Sequence, residues 1–400
     1  MNDCSEFISV NSLEANEFLA DPFTFFNGEP VESPDDWDLR AEEIRKLYQY
    51  YMYGVMPDAS KEKVTYKVKG NELYITVEAN GKEVTFPTTF SLPDKSKVSR
   101  PQEGYPLLIA FGLLQEAEYA NDRGYAVITL NTKNIAADNY SRDGVFYELY
   151  PYGDKWHEQT GTLMAWSWGI SKIIDALEIG AGNELGINEE NTIVTGVSRW
   201  GKAAAVAGAF DQRIKLTAPS CSGAGGMASF RYTSEGKTYD YSSIGLSQPY
   251  TMGQNEPLGS LQSSSEGHWF NDNFLAFTDV NYLPFDQHLL AVLCAGENRH
   301  LFITGSYLYE DWTNPPAMWL TYLAGKEAFN HLGYGDHIAI HIHKEGHMVT
   351  DEDMVYMLDY FDHHFYGKEV ESDLTDLTTS IYAEEANHDP LLDKYINNLK

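Results

Sequence analysis

The rhythm of apolar and polar positions changes twice along the chain. In WDLRAEEIRKLYQYYMYG, residues 37 to 54, apolar side chains recur at helical spacing and Gly54 stands where a helix C-cap would. A period of two follows in VTYKVKG, LYITVEANGKEV and TFPTTFSL, which predicts strands. Asn80-Gly81, between two of these runs, predicts a tight hairpin. From Pro106 short, wholly apolar runs take over: PLLIAFG, YAVITLN, TIVTG, KLTAPS, HLFITG and HIAIHIH. They alternate with segments of helical period, GTLMAWSWGISKIIDALEIG, SRWGKAAAVAGAF, NPPAMWLTYLAGKEAFNHLG and TDEDMVYMLDYFDHHFYG. Parallel strands buried on both faces and joined by crossover helices read this way.

The expected architecture is therefore α/β, a mostly parallel central sheet between two helix layers with an antiparallel N-terminal preface. One domain is expected over residues 1–400, with 1–60 as an N-terminal arm and helix. A Ser/Gly/Tyr-rich stretch from about 223 to 266 breaks the alternation and is predicted to be a loop insertion, a feature that usually carries function. No repeat, low-complexity tract or linker divides the chain.

Composition narrows the partners. Lys and Arg number 28 against 59 Asp and Glu, a formal charge of −31, which argues against nucleic acid and anionic membrane. An aromatic share of 14% excludes a disordered acidic chain. No run reaches the roughly 18 apolar residues of a membrane span. The opening MNDCSEFISV lacks the basic and apolar regions of a signal peptide, so an exported protein would have its signal outside this chain. Cys4, Cys221 and Cys294 are too few and too scattered for a disulfide framework, and no C-x-x-C pair is present for zinc.

Candidate chemistry concentrates in NTIVTGVSRWGKAAAVAGAF, residues 191 to 210. A strand runs through Gly196-Val197-Ser198 directly into a helix rich in small residues, the context of a nucleophile elbow. There a serine hydroxyl stands exposed beside helix N–H groups that favour a developing oxyanion. The usual G-x-S-x-G has a small residue two after the serine; here that residue is Trp200, with Gly201 one later. The bland alternative is an ordinary serine at a strand-to-helix turn.

In such a fold the acid and then the histidine follow the serine. His347, in the loop after the last predicted strand, suits the histidine, and Glu310 or Asp311, after LFITG, suits the acid. His341 and His343 alternate on one face of a strand and read as packing. Together with His347 they also raise metal binding, but His343-x-Glu345-x-His347 lacks the helical spacing of a zinc protease. Asp362-His363-His364 is expected on the surface of the C-terminal helix.

With these motifs in view, the chain resembles the glucuronoyl esterases, carbohydrate esterase family 15. The resemblance rests on DPFTFFNGEPVESPDDWDLRAEEIRKLYQYYMYG, on TGVSRWGKAAAVAGAFDQRIKLTAPSCSGAGG with its G-x-S-R-x-G-K, and on HWF, LPFDQH and GHMVT in order. It implies an α/β-hydrolase fold and a serine esterase that cleaves the ester between 4-O-methyl-glucuronic acid groups of glucuronoxylan and lignin alcohols. Ser198 would be the nucleophile, His347 the general base and Arg199 an oxyanion stabiliser. Lys202, Glu266, Gln262, Trp269 and Trp312 would bind the sugar, with Lys202 donating to its hydroxyls. One form of the family carries its acid where this chain has Cys221; another places it two residues before a Trp, which here is Glu310 before Trp312, with Asp311 the fallback. The resemblance implies no metal or organic cofactor, an extracellular setting and a monomer. Two rivals remain: an acetyl-xylan esterase of the same fold, and a carbohydrate-binding relative inactivated at Cys221.

Overall fold

Alternate residues of the central strands enter different cores. Leu107, Ile109 and Phe111 join one apolar core and Leu108 and Ala110 the other; Leu301 and Ile303 part from Phe302, and Ile338 and Ile340 from Ala339, in the same way. Side chains alternate across a strand, so a run apolar at every position needs cover on both faces. The first core takes the helices Thr162–Ala176, Arg199–Phe210 and Pro315–His331, and the second takes Asp351–Tyr366. The result is a three-layer sandwich.

The computed structural model describes residues 7–112 and 114–399. Cys4 and the first residues of the N-terminal arm lie outside the described residues. Among the described residues eleven strands follow in chain order: β1 (Lys63–Lys69), β2 (Glu72–Ala79), β3 (Lys82–Ser91), β4 (Tyr105–Phe111), β5 (Ala126–Leu130), β6 (Ile187–Val197), β7 (Leu216–Ser220), β8 (Thr238–Tyr239), β9 (Tyr250–Thr251), β10 (His300–Ser306) and β11 (Ile338–His343). Nine form one sheet in the order β1-β2-β3-β5-β4-β6-β7-β10-β11, and β8 pairs with β9 in a separate ribbon. The first three strands and the β3–β5 pairing are antiparallel, and every pairing from β5 to β11 is parallel. This is the α/β-hydrolase architecture expected from the sequence. Asn80 and Gly81 join β2 to β3 with φ of 53° and 73°, the left-handed pair of a tight hairpin.

The 223–266 insertion carries the β8–β9 ribbon. Tyr232 and Lys237 hold Asp389, Tyr241 meets the Tyr382 hydroxyl, and Asn255 Nδ2 donates to Asp311 O at 2.7 Å. It is thus fastened both to the C-terminal segment and to the loop after β10. Asp362, expected at the surface, is buried, because Arg123 and Tyr125 reach it across the second core. Among the described residues no helix is long and apolar enough to cross a membrane.

Candidate active site

Ser198 sits between β6 and the helix Arg199–Phe210 with φ 64° and ψ −129°. A side-chain-bearing residue pays on the order of 1–3 kcal/mol to hold such a conformation. The surroundings enforce it: Ser198 N–H donates to Ser220 O at 2.9 Å, pinning the turn to β7. A Cβ on Gly196 would come within 2.7 Å of Trp200 O, and one on Gly201 would strike the Ser220 carbonyl oxygen. Gly201 therefore does the close-approach work that the usual motif assigns one position earlier. Trp200 turns its indole N–H to Thr132 Oγ1 at 3.3 Å. The first N–H groups of the new helix have no acceptor within it.

Ser198, Arg199 and His347 share one cleft of about 450 Å³ with Leu114, Asp138 and Met348. His347 follows β11 and Glu310 follows β10, so all three side chains come from the carboxyl ends of parallel strands, where α/β sheets bind their ligands. His347 Nδ1 lies 2.6 Å from Glu310 Oε1. Glu310 is wholly buried, and neither of its oxygens receives an aligned hydrogen bond among the described residues. The contact is close in distance but bent, as catalytic contacts often are without substrate. Asp311 faces elsewhere: its carboxylate accepts the Tyr250 hydroxyl at 2.9 and 3.1 Å. Of the two acids, Glu310 is the one beside the imidazole.

Cys221, the residue after β7, is buried against the same pair with φ 45°. Burial first, and then the neighbouring Glu310 carboxylate, pushes its thiol well above the ordinary range. The other histidines brace the loop. His341 Nδ1 lies 2.7 Å from Asp353 Oδ1, and His343 Nε2 stands 3.2 Å from Met348 O. They do not converge with His347.

Arg199 extends to Asp138, Nη1 to Oδ2 at 2.7 Å, with its guanidinium over the Trp269 ring at 5.2 Å. Trp269 is buried and gives its indole N–H to Asp138 at 2.8 Å. It therefore braces Arg199 and offers no polar hydrogen to a sugar. Burial alone would raise Asp138, but hydrogen bonds from His268, Trp269 and Arg199 outweigh this and hold its carboxyl well below the usual range.

Lys202, which the resemblance makes a donor to the sugar, already has protein partners. It is buried, and Nζ donates to Ser222 O at 2.8 Å, Ala224 O at 2.6 Å and Glu256 Oε2 at 2.8 Å. Three acceptors use the three ammonium hydrogens, so a sugar hydroxyl must displace one of them. Gln262 is tied to the backbone. Its Nε2 donates to Phe274 O at 2.9 Å and Phe277 O at 2.8 Å, which commits both amide hydrogens to the neighbouring backbone. Glu266 has one buried oxygen without a hydrogen-bond partner among the described residues, and burial followed by the nearby Glu256 charge raises its carboxyl pKa, against Lys202 and Arg199. Trp312 is 43% exposed, with its ring 5.2 Å from that of His347.

Sequence reasoning missed Asp138 and Glu256. Asp138 lies shortly after β5, and that carboxyl-end position is a signal that would have raised it. Glu256 lies within the insertion, where no periodicity marks it.

Fold and site together define an α/β-hydrolase with a serine at its nucleophile elbow and a histidine–carboxylate pair beside it. The family model described as "Glucuronyl esterase, fungi" matches residues 75–333. The chain is 48% identical over 397 residues to a multidomain esterase of Ruminococcus flavefaciens, covering 97% of this chain and 51% of the relative. It is 35% identical over 339 residues to the 4-O-methyl-glucuronoyl methylesterase of Hypocrea jecorina, covering 84% and 66%. A carbohydrate esterase family 15 glucuronoyl esterase of Caldicellulosiruptor kristjansonii superposes with TM-score 0.85 at 40% identity, covering 94% of this chain and 97% of that one. The chain belongs to the glucuronoyl esterase family. It spans half to two thirds of the length of these two full-length relatives.

Proposed function

We propose that this chain hydrolyses the ester between the carboxyl group of 4-O-methyl-glucuronate, carried on glucuronoxylan, and a lignin alcohol. The observation that carries the reading is the His347–Glu310 contact of 2.6 Å in the cleft that also holds Ser198. The name of the Hypocrea relative supports the uronate as acyl group.

With Nδ1 of His347 turned to Glu310, Nε2 is free to serve Ser198. Nε2 takes the hydroxyl proton as Oγ attacks the C6 carbonyl, and Glu310 stabilises the imidazolium that forms. Helix N–H groups and the Arg199 guanidinium stabilise the oxyanion. The C6–O bond to the alcohol then breaks and Nε2 returns the proton to the departing oxygen. Water, deprotonated by His347, attacks the acyl-enzyme and releases the uronate with Ser198 reprotonated. Every proton in this sequence moves between these side chains, substrate and water. Glu266, with its unpartnered oxygen, and Trp312, half-exposed beside the imidazole, are the groups we assign to the sugar. Lys202 acts with them by fixing Glu256 and the Ser222–Ala224 turn. The polymer is too large to enter a cell, so the proposed place of action is extracellular.

The test compares initial rates on methyl and benzyl esters of 4-O-methyl-glucuronate with rates on acetylated xylan. Turnover of the uronate esters that vanishes in Ser198→Ala is expected. Turnover of acetylated xylan alone would overturn the reading in favour of a deacetylase.

A further inference from the structure

Cys221 stands against the histidine–acid pair, and the proposed mechanism gives it no task. Its sulfur, a Glu310 oxygen and a His347 ring nitrogen all lie within 4.8 Å of one another. We infer that these three side chains form a site for one thiophilic divalent cation, Zn²⁺ or a close chemical relative, and that occupancy of the site shuts hydrolysis off. The inhibition half of this inference rests on the proposed triad; the binding half does not.

The donor set is the first argument. Thiolate, imidazole and carboxylate are the three side-chain ligand types of zinc, at about 2.3 Å for sulfur and about 2.0–2.2 Å for nitrogen and oxygen. Tetrahedral geometry then separates the donors by roughly 3.2–3.7 Å. The Nδ1–Oε1 separation of 2.6 Å must widen by less than about 1 Å, and the loop permits it. His347 is only partly covered and follows Gly346, whose φ is 90°.

The second argument is the free oxygen of Glu310. Its carboxylate is wholly buried; His347 Nδ1 stands against Oε1 at 2.6 Å, and Oε2 has no hydrogen-bond partner among the described residues. A buried carboxylate oxygen without a donor is stabilised by a cation that reaches it. The Met348 carbonyl oxygen, 3.8 Å from Cys221 Sγ, or a water supplies the fourth position.

Binding releases the thiol proton to solvent and leaves sulfur as a thiolate; no electron changes hands. The consequence for turnover is electrostatic. With the metal on Nδ1 and on Glu310, the imidazole loses the bare carboxylate that stabilises its protonated form, and a divalent charge opposes that form directly. Nε2 then no longer takes the Ser198 proton. A carboxylate at position 221 would lack the soft sulfur donor, so the inhibition belongs to chains with cysteine there.

Cobalt(II) titration of the intact protein tests binding without reference to activity, through the thiolate-to-cobalt charge-transfer band. Zinc titration of uronate ester hydrolysis, reversed by chelator, tests inhibition. One cobalt per chain is expected, with the band present, and zinc should inhibit over the range in which it displaces cobalt. Cys221→Ser and Cys221→Ala should abolish the band and weaken both effects by more than the about 10–100-fold that losing an outer-shell partner costs. Cys4→Ser and Cys294→Ser should change neither, and circular dichroism checks that each variant folds. Binding and inhibition that persist in both Cys221 variants, or a wild-type protein that gives no band, would overturn the site. A cobalt band that depends on Cys221, in a protein that hydrolyses no uronate ester before any metal is added, would instead overturn the esterase reading and the inhibition with it.

Discussion

Asp138 holds Arg199 by an ion pair of 2.7 Å while the same carboxylate accepts the Trp269 indole N–H at 2.8 Å and stands 2.9 Å from His268 Nε2. A flexible, 44% exposed arginine is thereby given one direction beside the elbow. Asp138→Ala should lower kcat by up to about a hundredfold, less than the hundredfold to thousandfold range for loss of an oxyanion donor itself. KM should move less than kcat, because the group positions charge for the transition state. Steady-state kinetics on a methyl uronate ester check this. If Arg199→Ala is crippled and Asp138→Ala is not, the positioning role is wrong.

The two neighbouring acids should separate cleanly. Glu310→Gln should lower kcat by about 10⁴, as when a triad carboxylate is replaced by its amide. Asp311→Ala should keep turnover within about tenfold of the parent, since it loses contacts to Tyr250 and leaves the imidazole with its partner. The reverse ranking would reassign the acid.

Lys202 should reveal itself in stability before it does in catalysis. Breaking one partner out of a buried ion pair typically costs about 3–5 kcal/mol. Lys202→Met leaves Glu256 and two carbonyl groups without their donor, so a clear fall in denaturation midpoint is expected. An unchanged midpoint with raised KM would mean that Lys202 serves the substrate alone.

At the amino-terminal end of β10, His300 stacks on His337 at 3.8 Å and lies 4.9 Å from His364, with its Nδ1 2.8 Å from Tyr360 Oη. Burial first, then His337, His364 and Lys215, lowers the His300 pKa to about 2; burial and then His363 lower that of His364 to about 4. Unfolded histidine titrates near 6.5, so below that pH the unfolded chain binds more protons than the folded one. Their contribution is full above about pH 6.5 and drains away as pH falls toward 4 and below. Melting temperature should therefore decline with acidification, and less steeply in His364→Gln. Parallel profiles for the two proteins would remove the cluster from the explanation.

Much of the fold was legible because the apolar runs of β4, β6 and β10 need cover on both faces, and parallel strands leave few other arrangements. Ser198, His347 and a choice of Glu310 or Asp311 were legible because each follows a predicted strand in the order such folds use; the preference for Glu310 came from the resemblance. The burial of Lys202 was not legible, because helical spacing says which face a residue takes and nothing about what covers it. Its cover, Glu256, comes from the insertion 54 residues onward. Asp138 was invisible for the same reason, standing 61 residues from Arg199. Gln262 entered by resemblance alone, and its local backbone partners were beyond reach of any motif.

The left-handed turn at Ser198 gives the molecule a trade-off between endurance and activity. The residue that carries the hydroxyl is held where only glycine sits at ease. Ser198→Gly should therefore melt higher than Ser198→Ala, and higher than the parent by up to a few degrees, while both variants turn over nothing. Calorimetry on the three proteins would measure that difference. The elbow would then be a loaded joint, kept under tension by β7 and the helix behind it, and selection for a sturdier chain alone would slacken it at the expense of the nucleophile.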